Sequence, residues 1–277
     1  MRIGHCQLVS TPGEFEHNLA KMVQNLAQAH EDHVAILSFP ECYLTGYQDT
    51  EEEVRKHAFA ADSEKMTQIL AQTARFDPTV IVCFNELRGK QLYNTCLVAH
   101  KGKLLGLYSK CAAYMEFHQQ GREFPVFERD GVKFGVIICA DGGYIEPTRI
   151  LALKGAKVIF APHYNYIRKE GLIGHFMQVR ADHVARPREN GVHFVRGNNV
   201  AFGKDAAFIN SDGVGYGDSY ILDADGEILR RSRRHVEDYL FADIVPAADD
   251  ESWTVGRSRW SLREFGALVQ AAAEGRN

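Results

Sequence analysis

Short apolar runs rich in β-branched residues recur along the 277-residue chain and stop abruptly. Val34 to Phe39 halts at Pro40, Gly135 to Ile138 ends in Cys139, and Val158 to Ala161 closes at Pro162. Val80 to Phe84 is a fourth such run. Runs of this kind read as buried strands. Between them the apolar period becomes helical. Phe15, Leu19, Val23 and Leu26 predict a helix over 12–31, and Met66, Ile69, Leu70 and Thr73 predict helix within 50–75. Strand–helix–strand units mixed with hairpins imply a mixed sheet, or two packed sheets, with helices outside.

The remaining segments fill in that pattern. Strands are expected near 2–9, 91–98, 104–108, 124–127, 133–138, 192–196, 206–210, 219–222, 227–231 and 238–244. Gly-containing pairs turn the hairpins at Gly89, Gly102, Gly131 and Gly226. Thr11 and Glu14 suit a capping box around Pro12. A helix over 146–154 begins at Glu146-Pro147 and stops at Gly155, and one over 174–186 should end or bend at Pro187. Residues 111–123 have no period and read as a loop. No repeat, low-complexity stretch or interior linker divides the chain, so residues 1–277 are expected to form one domain. The tail over 246–277 holds Trp253, Trp260, Leu262, Phe265 and Leu268 and a helix from about 261. Its apolar residues suit an interface in a homodimer or larger homo-oligomer.

Composition excludes several classes. The net charge of −4 comes without a basic stripe or polybasic cluster, so neither nucleic acid nor an anionic membrane is an expected partner. No apolar run approaches the roughly 20 residues of a membrane span, and Met1 to Cys6 lacks the apolar core of a secretory signal. A cytoplasmic protein is therefore expected. The six cysteines form no Cys-x-x-Cys pair and are expected as free thiols. The twelve histidines make no zinc-type array, so no metal or other cofactor is implied.

Three strand ends carry reactive side chains: Phe39-Pro40-Glu41, Tyr108-Ser109-Lys110 and Ile137-Ile138-Cys139. Singly, Glu41 reads as a loop carboxylate, Lys110 as a surface lysine and Cys139 as a buried structural thiol. Brought together by neighbouring strands, they make coherent chemistry. A carboxylate can take the thiol proton. An ammonium lowers a thiol pKa and stabilises an oxyanion. The thiolate can then attack a carbonyl or nitrile carbon and form a covalent thioester-type intermediate.

In order and context these motifs resemble the nitrilase superfamily of carbon–nitrogen hydrolases, in its amidase-like branch. The resemblance covers residues 2–245. It rests on Phe39 to Tyr47, on Tyr108-Ser109-Lys110, and on Cys139 to Glu146 with Arg149 and Leu153 to Ala156. Arg180-Ala181, Glu189 to Val192, Asp218-Ser219 and Asp225-Gly226-Glu227 extend it. It implies a four-layer αββα sandwich of two mixed β-sheets with outer helices. It also implies Glu41 as general base, Lys110 as oxyanion stabiliser, Cys139 as nucleophile and the Ala140 backbone N–H as second oxyanion donor. A second active-site glutamate of the family matches Glu116, with Glu123 competing. The chain departs from the family pattern at Ala140 and at Cys111-Ala112-Ala113.

Tyr47, Tyr114, Tyr164 and Asn165 follow strand ends or catalytic motifs and are candidate substrate contacts, while Asp141 and Arg149 are expected to hold the turn and helix. The leading expectation is a cofactor-free hydrolase of a small amide or ureido compound. A nitrile hydrolase stands as its alternative. So do a Cys–His hydrolase using His163 or His175, and a non-catalytic binding or scaffold protein of the same fold.

Overall fold

The computed structural model describes residues 1–201, 213–246 and 262–275. Its first half runs β1 (Arg2–Gln7), α1 (Phe15–Glu31), β2 (Ile36–Ser38), α2 (Glu51–His57), α3 (Glu64–Thr73), β3 (Thr79–Arg88), β4 (Gln91–His100) and β5 (Lys103–Ser109). Next come β6 (Val126–Arg129), β7 (Val132–Val136), a 3-10 turn (Cys139–Gly143), α4 (Ile145–Leu153), β8 (Val158–Pro162), β9 (Tyr166–Arg168), α5 (Leu172–Asn190), β10 (His193–Gly197) and β11 (Val200–Ala201). The chain continues through β12 (Gly213–Tyr216), β13 (Tyr220–Leu222), β14 (Ile228–Arg231) and β15 (Asp238–Asp243), and α6 (Leu262–Ala273) lies in the tail.

Two mixed six-stranded sheets result, ordered β15-β1-β2-β3-β4-β5 and β14-β13-β10-β8-β7-β6. Strand alternation builds four layers from them. Along β3, Val80, Val82 and Phe84 pack with Phe15, Met22, Met66 and Ile69 of α1 and α3. Ile81 and Cys83, one residue out of step, face Phe134, Val136, Phe160 and Val195 of the other sheet. That sheet's far face, with Ile137, Ile159 and Phe194, meets Leu151 and Ala152 of α4. The architecture is thus the expected αββα sandwich. Continuous apolar runs are what strands buried on both faces require.

Several local expectations need correction. Helix α1 starts at Phe15, and its Glu14 N-cap makes no side-chain cap bond. Asn18 replaces the expected capping box by bonding both the N–H and the carbonyl of Thr11. Residues 50–75 form two helices, because Phe59 pairs with Glu86 of β3 and Ser63 caps a new start. Helix α5 runs through Pro187 and ends where Gly191 adopts φ +62°. The small antiparallel sheet β11-β12-β9 has strands too short to show a period. The strand expected over 206–210, like Trp253 and Trp260, lies outside the described residues.

The cysteines also differ from expectation. Cys83 and Cys96 are joined by a disulfide. They are direct cross-strand partners in the β3–β4 hairpin, with Cα atoms 3.9 Å apart. Cys6, Cys42, Cys111 and Cys139 are free. Among the described residues no helix is long and apolar enough to cross a membrane.

Candidate active site

The carboxyl ends of the central strands of both sheets meet at one cavity of about 790 Å³. Lys110, from the end of β5, and Cys139, from the turn after β7, line it. Glu41, after β2, is fully buried just behind them. Lys110 Nζ donates to Glu41 Oε1 at 2.6 Å. Asn94 Nδ2 donates to the same oxygen at 2.7 Å, and the Tyr164 N–H donates to Oε2 at 2.8 Å. The carboxylate is therefore fixed from three sides.

Cys139 opens the 3-10 turn with φ 47°, a left-handed conformation uncommon for any residue but glycine. Such a residue costs of order 1–3 kcal/mol and is kept only where its surroundings hold it. Asp141 supplies that hold. Its Oδ2 accepts from Tyr108 Oη at 2.7 Å and from the Ile138 N–H at 2.9 Å. Its Oδ1 accepts from the Ala112 N–H at 2.7 Å and from Cys111 Sγ at 3.2 Å. One carboxylate thus straps the lysine segment to the cysteine turn, as expected of Asp141. Arg186, rather than Arg149, takes up the turn's last carbonyls, bonding Gly142 O and Gly143 O at 3.2 Å each.

The electrostatics follow from burial and these neighbours. Burial pushes the Cys139 thiol up to about 12, with Glu41 pushing the same way and Lys110 and the Tyr164 N–H opposing. Cys139 therefore rests as a thiol, and forming its thiolate near neutral pH needs a base. Burial opposes the charge on Lys110, but Glu41, Cys139 and Asp141 together hold its ammonium above the ordinary lysine range. Lys110 stays a cation at any working pH.

The other expected residues divide. Tyr47 and Tyr164 stack at 4.4 Å in the cavity wall. Asn165 reaches the thiol, its Nδ2 lying 3.7 Å from Cys139 Sγ. Ala140 lines the cavity beside Cys139, and Tyr114 stands exposed on the rim. A second cavity of about 610 Å³ shares Tyr114, Ala140 and Tyr144 with the first. Glu116 does not join the group. It is exposed and lines neither cavity, and Glu123 is exposed too. The turn closed by His118 N–H to Met115 O turns His118 inward instead, where its Nε2 meets Asn85 Oδ1 at 3.1 Å. His163 and His175 line the cavity. Burial, with nearby cations adding, holds both rings neutral, His175 at about 4.

Sequence reading passed over Asn94, Arg186 and Arg196. Asn94 carried a usable signal, a carboxamide in the interior of an otherwise buried strand, which demands a partner. Among the described residues no cluster of three or more His, Cys, Asp or Glu is placed to hold a metal.

A buried carboxylate–ammonium pair beside a thiol at the strand ends of an αββα sandwich defines a class of hydrolase site. The family model described as carbon-nitrogen hydrolase matches residues 2–249, and the chain belongs to that family. Among curated relatives, a glutamine-dependent NAD(+) synthetase of Thermotoga maritima is 28% identical over 258 residues, 88% of this chain. The chain spans only 42% of that synthetase's length. A nitrilase of Pyrococcus abyssi is 30% identical over 168 residues, 58% of this chain and 64% of its own. An amidase from Nesterenkonia sp. shares the fold with a TM-score of 0.75 at 19% identity, covering 97% of this chain and 96% of its own.

Proposed function

We propose that this carbon–nitrogen hydrolase cleaves a small amide or ureido compound through a thioester at Cys139. The observation that carries the reading is the 2.6 Å Lys110–Glu41 pair behind the thiol in one cavity. Glu41 takes the Cys139 proton as the sulfur attacks the carbonyl carbon. The developing oxyanion meets the Lys110 ammonium and the Ala140 backbone N–H. Glu41 returns its proton to the nitrogen, the carbon–nitrogen bond breaks, and ammonia or an amine leaves. Water then gives a proton to Glu41 and attacks the thioester, releasing the acid and restoring the thiol.

Two facts about the Nesterenkonia amidase support an amide. A cysteine-to-alanine variant of it has been solved in complex with butyramide. A glutamate-to-glutamine variant carries the acetamide moiety of fluoroacetamide on its active-site cysteine. The chemistry of this cavity agrees, since an amide needs both an oxyanion donor and a proton for its leaving nitrogen. The test is ammonia or amine release from matched amides, ureido compounds and nitriles, compared by kcat/KM. The amide or ureido member should win each match. A nitrile hydrolysed faster than its amide overturns the preference.

A further inference from the structure

We propose that Arg196 is a positioning residue for the chemistry at Cys139: it holds the Asn165 carboxamide with its nitrogen turned to the sulfur. The inference rests on Cys139 being the nucleophile of the proposed reaction.

Arg196 lies on β10 and is fully buried. A guanidinium donates and never accepts, so each partner must offer it an oxygen lone pair. Its Nη1 donates to Gly217 O at 3.1 Å and Asp218 O at 2.7 Å. Its Nη2 donates to Asn165 Oδ1 at 2.6 Å and Tyr216 Oη at 2.8 Å. Asn165 is thereby denied a choice. Flipping its amide would set N–H against N–H at Arg196 and turn an oxygen towards the sulfur. With the oxygen committed, Nδ2 is the end that lies 3.7 Å from Cys139 Sγ.

The backbone beneath is fixed as well, because the Asn165 N–H donates to the Oδ1 atoms of Asn198 and Asn199 at 3.1 and 2.9 Å. The second acceptor on the same Arg196 Nη2, Tyr216 Oη, is held in turn. Tyr216 Oη lies 3.0 Å from His175 Nδ1 and donates to Asn165 Oδ1 at 3.5 Å. The His175 ring lines the same cavity.

The charge matters beyond geometry. Among the described residues no carboxylate hydrogen-bonds to Arg196; carbonyls, a hydroxyl and an amide take its two Nη atoms, and its Nε is buried without a partner. Its field is therefore felt through the Asn165 amide, which becomes a stronger donor to sulfur as negative charge develops there. Arg196 makes no contact with the thiol and acts through Asn165.

The test is the rate at which iodoacetamide alkylates Cys139, read by mass spectrometry on the peptide that carries it. This needs no turnover, and it separates Cys139 from the other free thiols. At about pH 8, Asn165→Ala should slow alkylation about tenfold, the worth of one hydrogen bond to a charged group. Arg196→Met should slow it comparably, and combining the two should add nothing to Asn165→Ala alone. Arg196→Lys, which keeps a donor for Asn165 Oδ1, should recover part of the rate. Asn165→Asp should be slower than Asn165→Ala, because it turns an oxygen towards the sulfur. This pair carries the test should Arg196→Met fail to fold.

In turnover of propionamide the Asn165 losses should fall on kcat with KM little changed. Alkylation of Asn165→Ala at the wild-type rate, or additive losses in the double variant, overturns the proposal. A wild-type protein that obeys the alkylation order but leaves propionamide and other amides intact supports the role of Arg196 and contradicts the amide reading.

Discussion

Lys110 Nζ lies 2.6 Å from Glu41 Oε1, and both side chains are almost wholly buried. Such a pair adds little net stability, because desolvating two charges offsets their attraction. It brings an ammonium to the wall of a cavity that contains a thiol, with the carboxylate buried just behind. Substituting one partner should therefore be costly in two ways. Lys110→Met should lower stability by about 3–5 kcal/mol, since it leaves a buried carboxylate unpaired. It should also cut turnover about 100- to 1,000-fold through loss of an oxyanion donor. Adding Glu41→Gln to it should restore much of the melting temperature and none of the activity. Thermal melts and ammonia release check both. A Lys110→Met enzyme within a few-fold of wild type would place the oxyanion elsewhere.

Asp141 accepts four hydrogen bonds that tie the lysine segment to the cysteine turn. Asp141→Asn keeps one acceptor oxygen and sets an NH₂ group against the donors of the other. Turnover should fall by more than about tenfold, with the far-ultraviolet circular dichroism of the native protein retained. Activity within twofold of wild type would mean the turn holds itself.

Stability should respond to acid through the buried imidazoles. Burial lowers His5 to about 3 and His118 and His175 to about 4, below the ordinary imidazole value of about 6.5. Between those values the unfolded chain binds protons that the native state refuses, so stability falls with pH through that window and is fully present above it. The melting temperature should drop steadily as pH is lowered from about 6.5 to about 4. His118→Gln, which keeps a donor for Asn85, should flatten that slope. An unchanged slope in the variant would assign the acid sensitivity to other groups.

At the alkaline end the sign reverses. Burial pushes Cys139 up to about 12, while an unfolded thiol ionises near about 8.5. Stability from this group is present below the lower value and is lost as pH rises towards the higher one. Cys139→Ser should melt with a shallower decline above about pH 8.5 than wild type.

The layered fold was legible because β2, β8, Val80 to Phe84 of β3 and Phe134 to Ile138 from the end of β7 are buried on both faces and read as near-continuous apolar runs. Glu41, Lys110 and Cys139 were legible because each stands where such a run, or its hairpin, stops. The disulfide could have been read from register. Counting five positions along each strand from the Arg88–Gln91 pair beside the Gly89-Lys90 turn leads to Cys83 and Cys96. The segment over 111–123 has no period, so nothing local told that His118 would turn in and Glu116 out. Arg196 was hidden for a deeper reason. Its partners Asn165, Tyr216, Gly217 and Asp218 come from distant parts of the chain, and only the closed fold makes a buried arginine reasonable.

The central claim is a covalent thioester at Cys139, and acid-quenched turnover of a small primary amide tests it most directly. Peptide-level mass spectrometry of the wild-type enzyme mixed with propionamide should find a propionyl group on the Cys139 peptide, labile to hydroxylamine. Cys139→Ala should show no adduct and release no ammonia while melting like a folded protein. Near-wild-type ammonia release by Cys139→Ala, or an acyl group on any other residue, would contradict the account.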